Sequence, residues 1–456
     1  MTDNKYPAVR LSEEEFSTAL HKGLGRAFLH VTHFGLDDVA DLVLEACLHD
    51  QAYDPQCEES RAKWLFDMFS ESPYYPKFRD AILNALKIES ETWDLQQLFE
   101  IAQVMAMHGD KRAVSVIRER AIEKASQWAD DGWLGAEEYR NVAGIEGALE
   151  LARIYGQRLL NNPEDWVPSN ESFDDLKMPL EFQKRLLQES EKDPALKAYW
   201  DYLEARGYLD TPSSVSNLES VRQRNREDTE RRFSLDRFLY DAIYKSGRFA
   251  PSYYSRFAQL ATKEELEKVY SLLLSETDNE IRLRLLRVFR LTPLPQLPEE
   301  PFSWVNGDDA HLREASYDAL AQLTNKRVHE LAIERVKSGK LSGRDRGVLD
   351  LFINNYENND SQLITNALLS LKPDEEDAHN LGRSLINLAE SQKDTRLANA
   401  LRWAYETTPC SDCRHRVIIQ LDSLKQFNNE LLYECQFDAI EGIRMFAQQK
   451  LTVISG

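Results

Sequence analysis

Cys410-Ser-Asp-Cys413-Arg-His415 is where this 456-residue chain comes nearest to the spacing of metal chemistry. Two thiols three residues apart beside an imidazole are a legitimate start for a zinc site, and Cys435 follows about one helix later. A packing role fits them better. Thr408 can cap a helix whose first residue is Pro409, a favoured position for proline. Along that helix Cys410, Cys413, Val417, Leu421 and Leu424 fall on one face, so the thiols read as small core residues. A second C-x-x-C is absent, and we expect no bound metal. His30 and His33 lie one helical turn apart but lack the H-E-x-x-H spacing, so they read as surface or capping histidines. Asp54, Gln56, Glu58 and Arg61 form a polar cluster beside Cys57 and Trp64, with no local motif for a nucleophile. Phosphate loops of the G-x-x-x-x-G-K or G-x-G-x-x-G type are missing; Gly23-Leu-Gly25-Arg26 reads as close helix packing. No catalytic residue, cofactor site or metal site is expected, and the chain reads as a non-enzyme.

A second kind of chemistry is recognition. Arg222, Arg224, Arg226, Arg231, Arg232 and Arg237 make the only basic cluster of the chain. Aromatic and cationic residues then alternate through Phe238, Tyr240, Tyr244, Lys245, Arg248, Phe249, Tyr253, Tyr254, Arg256 and Phe257. Three roles are open. The arginines can pair with Glu227, Asp228, Glu230 and Asp236 while the aromatics fill a core, which is the first expectation. Tyrosine and arginine can also anchor a protein interface, or clamp phosphates and stack bases. The residues singled out for an interaction role are Arg231, Arg232, Arg237, Tyr240, Tyr244, Arg248, Tyr253 and Tyr254.

The elements that must position these residues are helices. Arg282, Arg313, Arg346, Arg383, Arg414 and Arg444 recur at spacings of 31, 33, 37, 31 and 30, the length of one helical hairpin. Such a hairpin cannot bury its apolar face alone and must stack on its neighbours. Asp278 and Asp309 each precede an arginine by four residues, one turn away near a helix N-terminus. The apolar residues behind each arginine recur at three and four. In Asp278-Asn-Glu-Ile281-Arg282, Asp309-Ala-His-Leu312-Arg313 and Asp438-Ala-Ile-Glu-Gly-Ile443-Arg444 the chain resembles the HEAT-repeat family. The resemblance implies an α-solenoid of antiparallel helix pairs over 266–456, in which Asp278, Arg282, Asp309, Arg313, Asp438 and Arg444 form a ladder aligning adjacent repeats. Arg346 and Arg383 lack the preceding branched residue and Arg414 follows Cys413, so those rungs depart from the pattern. The alternative architecture is an irregular helical bundle.

Upstream, Ser12-Glu-Glu-Glu15 is a capping box. Helices are predicted over 37–48, 55–69, 75–86, 93–107, 111–127 and 136–160, joined by short turns. The chain thus divides into an N-terminal, degenerate HEAT-like region (1–160), a charged middle (161–265) with a flexible segment at 207–220, and the repeat array (266–456). With 77 acidic against 56 basic side chains the formal charge is −21, which repels a phosphate backbone on average. No stretch is long and apolar enough to span a bilayer, and neither a signal-like N-terminus nor a disulfide-like cysteine count is seen. The expectation is an all-α, acidic, cytoplasmic scaffold or adaptor with a protein partner, no cofactor and no membrane association. The alternative is a HEAT-like nucleic-acid binder using residues 222–257. The oligomeric state is left open.

Overall fold

Capping and turn residues set the helix boundaries in the computed structural model, which describes residues 9–127, 132–168, 179–209, 232–245, 250–341 and 343–455. Ser12 accepts from the backbone of Glu15 while the Glu15 carboxylate accepts from the Ser12 N–H, so the capping box is complete. Glu91, Asp110 and Asp193 cap their helices in the same carboxylate-to-backbone manner. The fold is all-α, and none of the described residues lies in a strand. Among the described residues no helix is long and apolar enough to cross a membrane.

The chain forms two compact units, Met1–Leu218 with Asn429–Gly456, and Glu219–Asn428. The first contains α1 (Glu13–Lys22), α2 (Gly25–Phe34), α3 (Ala40–Leu48), α4 (Ala62–Phe69), α5 (Tyr75–Ile88), α6 (Thr92–Met107), α7 (Lys111–Ser126), α8 (Ala136–Asn161), α9 (Leu180–Ser190) and α10 (Pro194–Ala205). The second contains α11 (Leu235–Tyr244), α12 (Pro251–Leu260), α13 (Lys263–Ser275), α14 (Asn279–Leu286), α15 (Glu300–Trp304), α16 (Ala310–Ala321), α17 (Lys326–Lys337), α18 (Asp360–Leu369), α19 (Glu375–Gln392), α20 (Ala398–Thr407) and α21 (Ser411–Ser423). Short 3₁₀ segments at Arg287–Arg290, Gly343–Phe352 and Thr395–Leu397 continue or join these helices. The chain then returns to the first unit with α22 (Asn429–Cys435) and α23 (Glu441–Ser455). These units cut the chain at other places than the sequence regions 1–160, 161–265 and 266–456. Of the expected flexible segment 207–220 only residues 207–209 are described.

Packing runs between near neighbours in the sequence. α6 lies against α4, α5, α7 and α8, and α8 against α10. In the second unit α16 packs on α14 and α15, and α19 on α20 and α21. The return of α22 and α23 is the exception. Gly25 opens α2 so close to the α22 backbone that a Cβ would lie 2.0 Å from the Glu434 carbonyl oxygen. The Gly23 carbonyl accepts from the Ala439 N–H at 2.9 Å, and the buried Trp64 Nε1 donates to the Phe437 carbonyl at 2.8 Å. Close helix packing at Gly23-Leu-Gly25 is therefore realised against the far end of the chain. Arg26 adds an ion pair to Glu434 at 2.8 Å.

Candidate functional site

Period-3.6 placement sorts the arginine and tyrosine residues of α11 into two faces. Phe238 and Ala242 are buried, with Leu235 and Leu239 packed against the same cluster. Arg237, Tyr240 and Tyr244 fall on the opposite stripe; the two tyrosines are 53% and 73% exposed. Their rings meet at 5.4 Å between centroids, and the Arg237 guanidinium sits 5.9 Å from the Tyr240 ring. α12 begins with Pro251 at its first position, where the missing N–H costs no helical bond. It buries Tyr254 and Phe257, and Phe257 stacks on Phe238 at 4.1 Å. Arg284 of α14 reaches the end of α11, donating to the carbonyls of Ala242 and Lys245 at 2.9 and 2.7 Å, so α11 is held at its C-terminus by a buried cation.

Asp241 ties the two helices together. It is buried, and receives Arg237 at 3.3 Å, Lys245 at 2.9 Å and the Tyr253 hydroxyl at 3.2 Å. Burial, then the neighbouring Asp241 charge and its hydrogen bond, push the Tyr253 hydroxyl up to about 12, so it stays a donor at neutral pH. Between Arg232, Phe233, Ser252, Tyr253, Arg256 and Gln259 runs an open groove of about 540 Å³. This face can offer aromatic area and a few cations to a partner.

The structure thus divides the eight expected interaction residues. Arg232, Arg237, Tyr240 and Tyr244 are exposed, Tyr253 is half-buried on Asp241, and Tyr254 belongs to the core. Arg231 and Arg248 lie outside the described residues, as do Arg222, Arg224 and Arg226. Asp241 was missed by sequence reasoning, although its spacing to Arg237 and Lys245, four residues either way, was the available signal.

The arginine ladder is built differently from what the HEAT resemblance implies. Asp278 accepts from the N–H groups of Glu280 and Ile281, and Asp309 from those of His311 and Leu312, so each caps its own helix. Asp438 is fully buried and accepts from Ile440. Each arginine instead reaches back six residues to a loop carbonyl. Arg282 donates to Glu276 at 2.8 Å, Arg313 to Gly307, and Arg444 to Asp438 at 2.6 Å. Among the described residues neither Asp278 nor Asp309 pairs with an arginine. The two carboxylates are taken up by the N–H groups of their own helices, and the arginines turn to backbone carbonyls of the entering loops. Arg414 is fully buried, and the Arg346 side chain lies outside what is described.

The remaining candidates separate by contact. His30 is a buried cap whose Nδ1 accepts from the Leu11 N–H at 3.1 Å, between the rings of Phe16 and Phe34. Burial and the nearby Arg10 charge hold its pKa below the ordinary histidine value. Arg61 is buried against Glu58 at 3.1 Å and donates to the His21 carbonyl at 2.6 Å. Helix α21 starts at Ser411, with Cys410 at its N-cap, while Thr408 ends α20; the expected Thr408–Pro409 start is displaced by two residues. Cys410, Cys413, Val417, Leu421 and Leu424 are buried, as their shared face requires. The histidine that meets the two sulfurs is His379 of α19, not His415. No family model, curated protein or solved structure matches this chain.

Proposed function

We propose that this protein is a non-enzymatic, cytoplasmic helical-repeat scaffold that binds a protein partner through the Arg237–Tyr240–Tyr244 face of its second unit. The observation that carries the reading is the pair of adjoining, mostly exposed tyrosines with a guanidinium over one of them. Tyrosine brings a large contact area at low entropic cost, and tyrosine and arginine are enriched among the residues that carry most of the energy of protein interfaces. A HEAT-like stack of hairpins is supported by packing between successive helices, by two turns built alike around the capping Asp278 and Asp309, and by three arginines that each return to a carbonyl six residues back.

Nucleic acid is the weaker reading on charge. Two cations of this face, Arg237 and Lys245, are already drawn to the buried Asp241 carboxylate. The whole chain carries −21, and at about 0.15 M salt the screening length of about 8 Å leaves an isolated cationic patch little long-range pull. Fluorescence anisotropy with a labelled 20-nucleotide single strand and a 20-base-pair duplex tests this. Dissociation constants weaker than about 10 μM at that salt are expected, in the range of non-specific contact. Submicromolar, salt-sensitive binding lost on Arg232→Glu with Arg237→Glu would replace the protein-binding reading with the nucleic-acid one.

A further inference from the structure

His379, Cys410 and Cys413 come from two helices and one helix entrance. Cys410 is the N-cap of α21 and Cys413 its third residue, so the C-x-x-C spans the helix N-terminus. There the positive end of the helix dipole favours negative charge, including that of metal-bound thiolates. His379 sits near the start of α19, which packs against α21. Its Nδ1 lies 3.7 Å from Cys413 Sγ, and one ligand atom from each of the three residues lies within 4.8 Å of the others.

We propose that these three residues bind one zinc(II) ion, with the fourth tetrahedral position left to water. Zinc–sulfur bonds of about 2.3 Å and zinc–nitrogen bonds of about 2.0–2.1 Å at tetrahedral angles place sulfur and nitrogen about 3.5 Å apart. The observed 3.7 Å needs a shift of only a few tenths of an ångström. Two thiolates and a neutral imidazole give a soft donor set suited to zinc and leave the loaded centre with no net charge. The cysteines are nearly buried and His379 is half-buried, which opens the centre to solvent on the imidazole side. The hydrogen bond with Cys410, then burial, push the Cys413 thiol well up in the metal-free chain, with Arg416 and Arg383 opposing that shift, so binding must displace the thiol protons.

Packing alone accounts for Val417, Leu421 and the two buried thiols, but it does not call for an imidazole nitrogen beside them. The sequence-based expectation of no metal rests on the thiols sharing an apolar helix face and on the absence of a second C-x-x-C. The structure supplies the third ligand from α19, 31 residues before Cys410, where no motif spacing would mark it.

The test is a cobalt(II) titration of the reduced, chelator-treated full-length protein, followed by zinc competition. We expect the intense visible bands of tetrahedral cobalt and a near-ultraviolet thiolate charge-transfer band, both saturating at one equivalent and both bleached by zinc. His379→Ala, at a half-buried position that tolerates truncation, should weaken cobalt binding by more than about tenfold. Cys410→Ser with Cys413→Ser should abolish the charge-transfer band, whereas Cys435→Ser should leave the titration unchanged. If the double variant fails to fold, His379→Ala and Cys435→Ser still decide between a site and adventitious thiol binding. Absent cobalt bands in the wild type, or bands that survive His379→Ala and fall with Cys435→Ser, would overturn the proposal.

Discussion

At the scale of single residues, burial without charge neutralisation marks Glu138. Its carboxyl accepts from Gln96 Nε2 at 2.9 Å, and burial, with nearby Glu100 and Glu137 adding to it, pushes its pKa up to about 7 from 4.5. Below pH 4.5 both folded and unfolded chains hold the proton. Between pH 4.5 and 7 the unfolded chain releases it while the folded one keeps it, so this group's contribution to stability falls as pH rises. At about 1.4 kcal/mol per unit the penalty reaches at most roughly 3 kcal/mol above pH 7. Glu138→Gln keeps the acceptor oxygen and removes the ionisation. Urea denaturation should show its advantage over wild type growing from pH 4.5 to 7 and then levelling; an advantage independent of pH would mean that Glu138 is solvated. None of this could be read from the sequence, because the desolvation comes from helices that meet only in space.

Among elements, periodicity was the legible part. The predicted helices at 93–107, 111–127 and 136–160 coincide with α6, α7 and α8 to within a residue or so, since caps and apolar stripes are local. The helix predicted over 55–69 begins only at Ala62, because residues 53–60 are taken up by turns in which Asp54 accepts from Cys57 and Glu58. Helical spacing put Asp278 and Arg282 on one face without showing that the arginine turns back to its own loop. That return bond makes a prediction for α16. Arg313 is buried and holds the carbonyl of the exposed Gly307, so Arg313→Ala removes that tie to the entering loop and opens space beside α16. Thermal or urea unfolding of the second unit should report a loss of about 1–3 kcal/mol, with α11 and its tyrosines unaffected in binding. Unchanged stability together with a lost partner would make Arg313 a recognition residue.

For the molecule as a whole, the contact no local pattern foretells is the return of α22 and α23 to the first unit. Arg26 and Glu434 are 408 residues apart, yet they pair. Sequence reading puts the C-terminal pair at the end of the repeat array because Ile443-Arg444 also follows an aspartate, six residues ahead here rather than four. What the three segments share is the arginine's bond to a carbonyl six residues back, while the docking surface is set by Gly25, Trp64 and the carbonyls of Glu434 and Phe437 that they meet. The proposed interaction face is half legible. Composition named the arginine and tyrosine segment, and only the fold could say that Tyr240 and Tyr244 face solvent while Tyr254 is core. Replacing those two exposed tyrosines should change stability by less than about 0.5 kcal/mol, as for surface positions away from packed or paired groups. The most direct test is nuclease-treated affinity purification at about 0.15 M salt, comparing wild type with folded Tyr240→Ser/Tyr244→Ser. A specific protein that co-elutes stoichiometrically with the wild type and is lost at least about tenfold from the variant, equivalent to about 1.4 kcal/mol, is predicted. Equal recovery of that protein on both would contradict the assignment of this face as the partner-binding surface.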